Sequence, residues 1–161
     1  MSETNLSGLS AMTQGLVTIR VANQPLGIPV GFVRDVLGPQ GISRIPLAPS
    51  AIAGSLNLRG RIVTVLDLRT MMSLSRTEAP EKAMNVVIDL DGELYSLLVD
   101  QVGDVLSVDE STVEALPHTV APEWRAVSSG IVKLKDELVL ILVPDTLLAM
   151  ASVAANTGLD S

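Results

Sequence analysis

A glycine at position 60 does most to limit how this chain can fold. It separates two apolar runs in the segment Asn57-Leu58-Arg59-Gly60-Arg61-Ile62-Val63-Thr64-Val65-Leu66-Asp67-Leu68-Arg69. Without a Cβ, Gly60 supplies the positive φ that a tight turn between two strands requires. The segment therefore reads as a hairpin, with Arg59 and Arg61 flanking its tip. A guanidinium held at the tip of so apolar a hairpin needs water or a carboxylate partner. Asp91-Gly92 gives a second hairpin signal between Asn85–Leu90 and Glu93–Asp100.

The rest of the core must also be built from strands. Hydrophobic residues make up 47% of the 161 positions against 18% charged, which excludes global disorder. Most of them are Val, Leu and Ile, and Phe32, Tyr95 and Trp124 are the whole aromatic complement. Branched aliphatics pack well on a pleated surface. A net charge of -7 argues against nucleic acid or anionic lipid as a partner. With no cysteine, disulfides and thiolate metal sites are excluded, in keeping with a reducing compartment. The first residues carry an acid in place of the basic region of a secretory signal. The longest apolar run, Leu138 to Val143, is far short of the ~20 residues a membrane helix needs, so no direct membrane insertion is expected.

Residues 1–14, rich in Ser, Thr, Asn and Gly, are expected to form a disordered tail, as are residues 155–161. Strands are expected at Leu16–Val21, Leu26–Val30, Phe32–Leu37 and Ile42–Ile45, with Pro29 at a sheet edge or strand end. A helical turn is expected at Pro49–Gly54 and a polar linker at Ser73–Lys82. Ser107-Val108-Asp109-Glu110 has capping-box spacing for a brief helical turn. A hairpin around Lys135-Asp136-Glu137 leads into a short helix that begins at Pro144. The pattern predicts an all-β chain of two small barrels, the first over about 15–78 and the second over about 79–143. A C-terminal helix over 144–154 completes a single domain spanning 15–154.

Catalytic chemistry finds little support. His118, the sole histidine, lies in a loop without a second imidazole, and no nucleophile elbow or phosphate loop occurs. Asp100, Asp104, Asp109 and Glu110 lack the ligand density of a calcium loop and read as solvated or turn-forming. No cofactor or metal is expected. Trp124 reads either as an interface anchor or as a plug for a barrel end. A small barrel carrying an apolar ligand is a competing reading, but barrels of this size are usually filled by side chains.

Asn-Leu-Arg-Gly followed by Asp-Leu-Arg, together with Val33-Arg34-Asp35-Val36, Ile45-Pro46 and Leu97-Leu98-Val99-Asp100-Gln101-Val102, resembles the CheW family of chemotaxis coupling proteins over roughly Leu16 to Met150. The resemblance implies two five-stranded SH3-like β-barrel subdomains packed together, with short helical turns and a short C-terminal helix. It implies a non-catalytic adaptor that couples chemoreceptors (methyl-accepting chemotaxis proteins) to the histidine kinase CheA in a ternary complex. The alternative is a scaffold for a chemosensory pathway with an output other than motility. The implied partners are the cytoplasmic hairpin tip of a chemoreceptor and the regulatory domain of CheA. Such a protein is cytoplasmic, monomeric alone, assembled in receptor arrays and recruited to the inner face of the membrane through receptors.

Val33, Val36 and Arg59 match family positions that face the receptor tip. Asp35 stands where glutamate is usual and pairs with the arginine, one methylene shorter. Thr64 replaces a common proline, and Val143-Pro144-Asp145 stands where Leu-Asp normally precedes the final helix. Strand alternation places Val33 and Asp35 on one face and Arg34 and Val36 on the other, so all four meet one partner only through a bulge or strand end. Val33, Asp35 and Arg59 are the first choices for a receptor groove.

Overall fold

Tight turns decide where each aliphatic strand stops. In the computed structural model, which describes residues 13–151, three of the four two-residue hairpin turns take one form: Ala22-Asn23, Arg59-Gly60 and Asp91-Gly92. Both residues of every pair have positive φ, as the twist of the flanking strands demands. Two of these turns share a further device. The Asn57 side-chain oxygen accepts the Gly60 N–H at 2.8 Å, and an Asp89 carboxylate oxygen accepts the Gly92 N–H at 2.9 Å.

The strands are β1 (Thr13–Val21), β2 (Gln24–Pro29), β3 (Val33–Leu37), β4 (Ile52–Leu58), β5 (Arg61–Asp67), β6 (Met84–Leu90), β7 (Glu93–Val99), β8 (Gln101–Asp109), β9 (Ser128–Leu134) and β10 (Glu137–Leu142). Helices are short: α1 (Leu68–Met71), α2 (Pro122–Ala126) and α3, which starts at Pro144 and is described to Ala151. One five-stranded sheet has the order β8-β1-β2-β10-β9 and the other β3-β6-β7-β5-β4. The pairs β2–β10 and β5–β7 are parallel and the remaining neighbours antiparallel.

This partition corrects the expected split into barrels 15–78 and 79–143. The first sheet joins the N-terminal hairpin to the last three strands, and the second is made wholly of β3–β7. The β1–β2 hairpin leaves an open edge on each side. β8 fills one, from Thr13↔Asp109 to Arg20↔Gln101, and β10 fills the other. Pairing over such sequence distances leaves no local trace.

Alternation sends neighbouring residues into different cores. Leu16 and Ile141 belong to a small cluster on one face of the first sheet, whereas Val17, Leu140 and Leu142 enter a large cluster shared by both sheets. In the second sheet Val65 and Leu98 join a third cluster, and their neighbours Leu66 and Leu97 join the shared one. Strands apolar on both faces follow from this arrangement.

Several local expectations change. Ile42–Ile45 forms no strand but a single bridge, Ser43↔Ser55, with reciprocal N–H to O distances of 2.8 Å. Gly54 makes that approach possible, since a Cβ there would sit 2.3 Å from the Ser43 carbonyl oxygen. Pro49 accepts one turn bond from Ile52, and β4 then begins in place of a helical turn. β8 continues through Ser107, and Asp109 caps the turn that follows. Thr13 and Gln14, expected in the tail, lie in β1. Residues 1–12 and 155–161, and the end of the expected helix 144–154, lie outside the described residues. Pro29 ends a central strand, as its missing donor requires.

Candidate functional site

Arg59 owes its position to the turn. At φ +52° it occupies the first of the two left-handed positions, and its side chain is 84% exposed. An Asp35 carboxylate oxygen lies 3.8 Å from an Arg59 guanidinium nitrogen. Asp35 sits on edge strand β3 and Arg59 on the tip joining β4 and β5, at the other edge of the same sheet. The two edges therefore curl toward each other, and the second sheet closes as a barrel. Val108 on β8 and Val132 on β9 share one cluster, which draws the edges of the first sheet together likewise.

A bulge shapes β3. Pairing steps from Val33↔Ile88 to Asp35↔Val87, so Arg34 is the extra residue. The other Asp35 oxygen accepts the Val36 N–H at 2.9 Å, which orients the carboxylate. Val36 is 40% exposed beside it, while Val33 is half-buried against the shared core. Arg34 is exposed and ion-paired to Asp89. Of the four expected site residues, Asp35 and Arg59 meet at the barrel rim, Val36 is exposed at the next position of β3, and Val33 is half-buried against the shared core. Arg61 reaches the carbonyl of Gly92 at 3.2 Å and braces the two hairpin tips side by side.

Sequence reasoning missed a second polar centre. Asp67 caps α1 by accepting the Arg69 N–H at 3.1 Å, and it also takes the Thr77 N–H at 2.8 Å and the Thr77 hydroxyl at 2.9 Å. The capped turn buries Leu68 and aims Arg69 at Asp100, with N to O distances of 3.2 and 2.7 Å. Asp100 also accepts the Ala22 N–H at 2.7 Å. Burial alone would raise the Asp100 pKa, but the Arg69 bond, the Ala22 N–H and the guanidinium charge together hold it below the usual carboxylate range. The bond to Asp100 raises Arg69 against the opposing effect of burial. Asp-Leu-Arg and Asp-Gln-Val, two of the motifs that carry the family resemblance, thus meet in space.

The remaining candidates are dispersed. The Asp104 carbonyl accepts the Thr18 hydroxyl at 2.7 Å, Asp109 caps a turn, and His118 is exposed in a loop. Among the described residues no group of three His, Cys, Asp or Glu side chains is arranged to hold a metal ion, and no helix is long and apolar enough to cross a membrane. Trp124 packs partly buried against the shared core and lines an open cavity of about 500 Å³ with Gln24, Pro25 and Leu138.

Residues 15–152 match the CheW-like domain. The chain belongs to the CheW-like family. Chemotaxis protein CheW of Bacillus subtilis is 28% identical over 127 residues, covering 79% of this chain and 81% of that protein. CheW of Thermotoga maritima is 27% identical over 138 residues, covering 86% of this chain and 89% of its own length. The crystal structure of the scaffolding protein TtCheW from Thermoanaerobacter tengcongensis superposes with a TM-score of 0.73 at 28% identity, covering 82% of this chain and 90% of that one. This CheW-like chain is accordingly all-β, with two packed five-stranded subdomains.

Proposed function

We propose that this chain is a non-catalytic chemotaxis scaffold that couples the cytoplasmic hairpin tip of a chemoreceptor to the regulatory domain of the CheA kinase. The observation that carries the reading is the rim of Asp35, Val36 and Arg59. It offers one exposed valine beside an oriented carboxylate and a guanidinium with free donors. Such a rim suits a helical hairpin with an apolar ridge and polar flanks, where charges set register and apolar contact supplies affinity.

A coupling protein needs a second, separate surface. Val30 and Val105 are 46% and 62% exposed and flank Gly15 on the first sheet, where a Cβ would lie 3.0 Å from Val30 and 3.9 Å from Val105. We assign this apolar patch to the kinase. The protein is then a monomer in the cytoplasm, held at the inner face of the membrane by its receptors. Co-sedimentation with receptor-containing membranes, with and without CheA, tests the reading. Binding to membranes that lack receptors, or no recruitment of CheA by the receptor-bound chain, would overturn it.

A further inference from the structure

We infer that Arg69 and Asp100 form a latch that fixes the angle between the two barrels, and that they act as positioning residues for coupling. The chain crosses between sheets twice, at the Val30–Phe32 turn and at Asp100, the single residue between β7 and β8. Asp100 is tied in both directions. Its N–H donates to the Arg20 carbonyl at 2.9 Å and its carboxylate takes the Ala22 N–H at 2.7 Å, both in the first sheet's leading hairpin. The same carboxylate grips Arg69, which α1 holds at the end of β5 in the second sheet.

Among the described residues the other ion pairs stay within one barrel. Arg20–Glu137 and Lys133–Glu114 belong to the first, Arg34–Asp89 and Arg59–Asp35 to the second. Between the barrels lies the shared cluster, whose fully buried members are Val, Leu, Ile, Ala and Met. Aliphatic burial is strong but non-directional, so it holds the barrels together without dictating a rotation. A bidentate guanidinium–carboxylate pair is directional, and placed on the crossover it fixes that rotation. The latch stands on this geometry alone. Its consequence for coupling rests on the function proposed above, because the receptor rim lies on one barrel and the apolar Val30–Val105 patch on the other.

The cysteine-free sequence makes the test direct. Spin labels on Glu93→Cys and Asp136→Cys, exposed positions on opposite barrels, report the inter-barrel distance in the free protein. We expect a single narrow distribution that at least doubles in width in Arg69→Gln and in Asp100→Asn, with Arg69→Lys falling between. Cooperative melting should persist, and pairwise binding to receptor and to kinase should each stay within about threefold. Receptor-dependent kinase control should fall by tenfold or more. Unchanged distributions in both variants would overturn the latch whatever the binding results. A widened distribution with normal kinase control would overturn the positioning role. Failure of the unsubstituted protein to bind receptor would overturn the functional reading and leave the distance measurement standing.

Discussion

The Asp35 carboxylate lies 3.8 Å from the Arg59 guanidinium, although the two residues belong to opposite edges of one sheet. The contact exists because the sheet curls into a barrel and because the Arg59-Gly60 turn points the arginine back across the gap. With Arg59 84% exposed, the pair contributes only about 0–1 kcal/mol to folding. Its value must be sought in binding.

Arg59→Ala and Asp35→Lys should therefore melt near the unsubstituted protein while losing receptor affinity. About tenfold weaker binding corresponds to 1.4 kcal/mol. Kinase binding should change less, since the patch proposed for it lies on the other barrel. Equal loss of both partners would give the pair a structural role.

Val33 and Val36 separate by burial. A carboxylate at Val33 would be forced against the shared core without a partner, so Val33→Glu should lower the melting temperature and cost on the order of several kcal/mol. Val36 is 40% exposed, and Val36→Glu should fold normally but fail to capture receptor. A folded, non-binding Val33→Glu would restore Val33 to the binding surface.

Acid should weaken the latch. Asp100 has its folded pKa below the value of the unfolded chain, so the stability it adds is fully present above the unfolded pKa of about 3.9. That stability is lost as pH falls through the folded value. Asp89, held low chiefly by Arg34 and also by the Gly92 N–H, adds a parallel contribution of the same sign. Denaturant titrations from neutral pH down to about pH 3 should show stability falling, and Asp100→Asn should flatten part of that fall. An identical pH profile in Asp100→Asn would remove the carboxylate from the account.

What the sequence reveals here follows the range of the interaction. Asp91-Gly92 and Arg59-Gly60 are legible because a left-handed turn is a local demand and glycine meets it. Ala22-Asn23 adopts the same turn with no glycine to announce it. The pairing of β1 with β8 joins segments some 90 residues apart and leaves only alternating aliphatics, which any partner strand would satisfy. The Asp35–Arg59 pair was expected from the family resemblance, whereas Arg69–Asp100 was not. Asp100 read as one acid among four, and its identity as the crossover residue exists only in the folded topology.

Asp67 offers the sharpest separation of capping from charge. It is 3% exposed, and its two oxygens serve three donors from Arg69 and Thr77. Asp67→Ala strands two backbone N–H groups and a hydroxyl, each unsatisfied group costing about 1–3 kcal/mol where water cannot replace the partner. Asp67→Asn keeps one acceptor oxygen and a side chain that caps helices about as well as Asp, so it should recover part of the loss. Because the cap aims Arg69, Asp67→Ala should also widen the inter-barrel distance as Arg69→Gln does, while Asp67→Asn stays nearer the unsubstituted protein. Thermal melts and spin-label distances on the same two variants test both points. If Asp67→Ala melts lower yet keeps the narrow distance, the cap serves stability alone and Arg69 is held by Asp100 without its help.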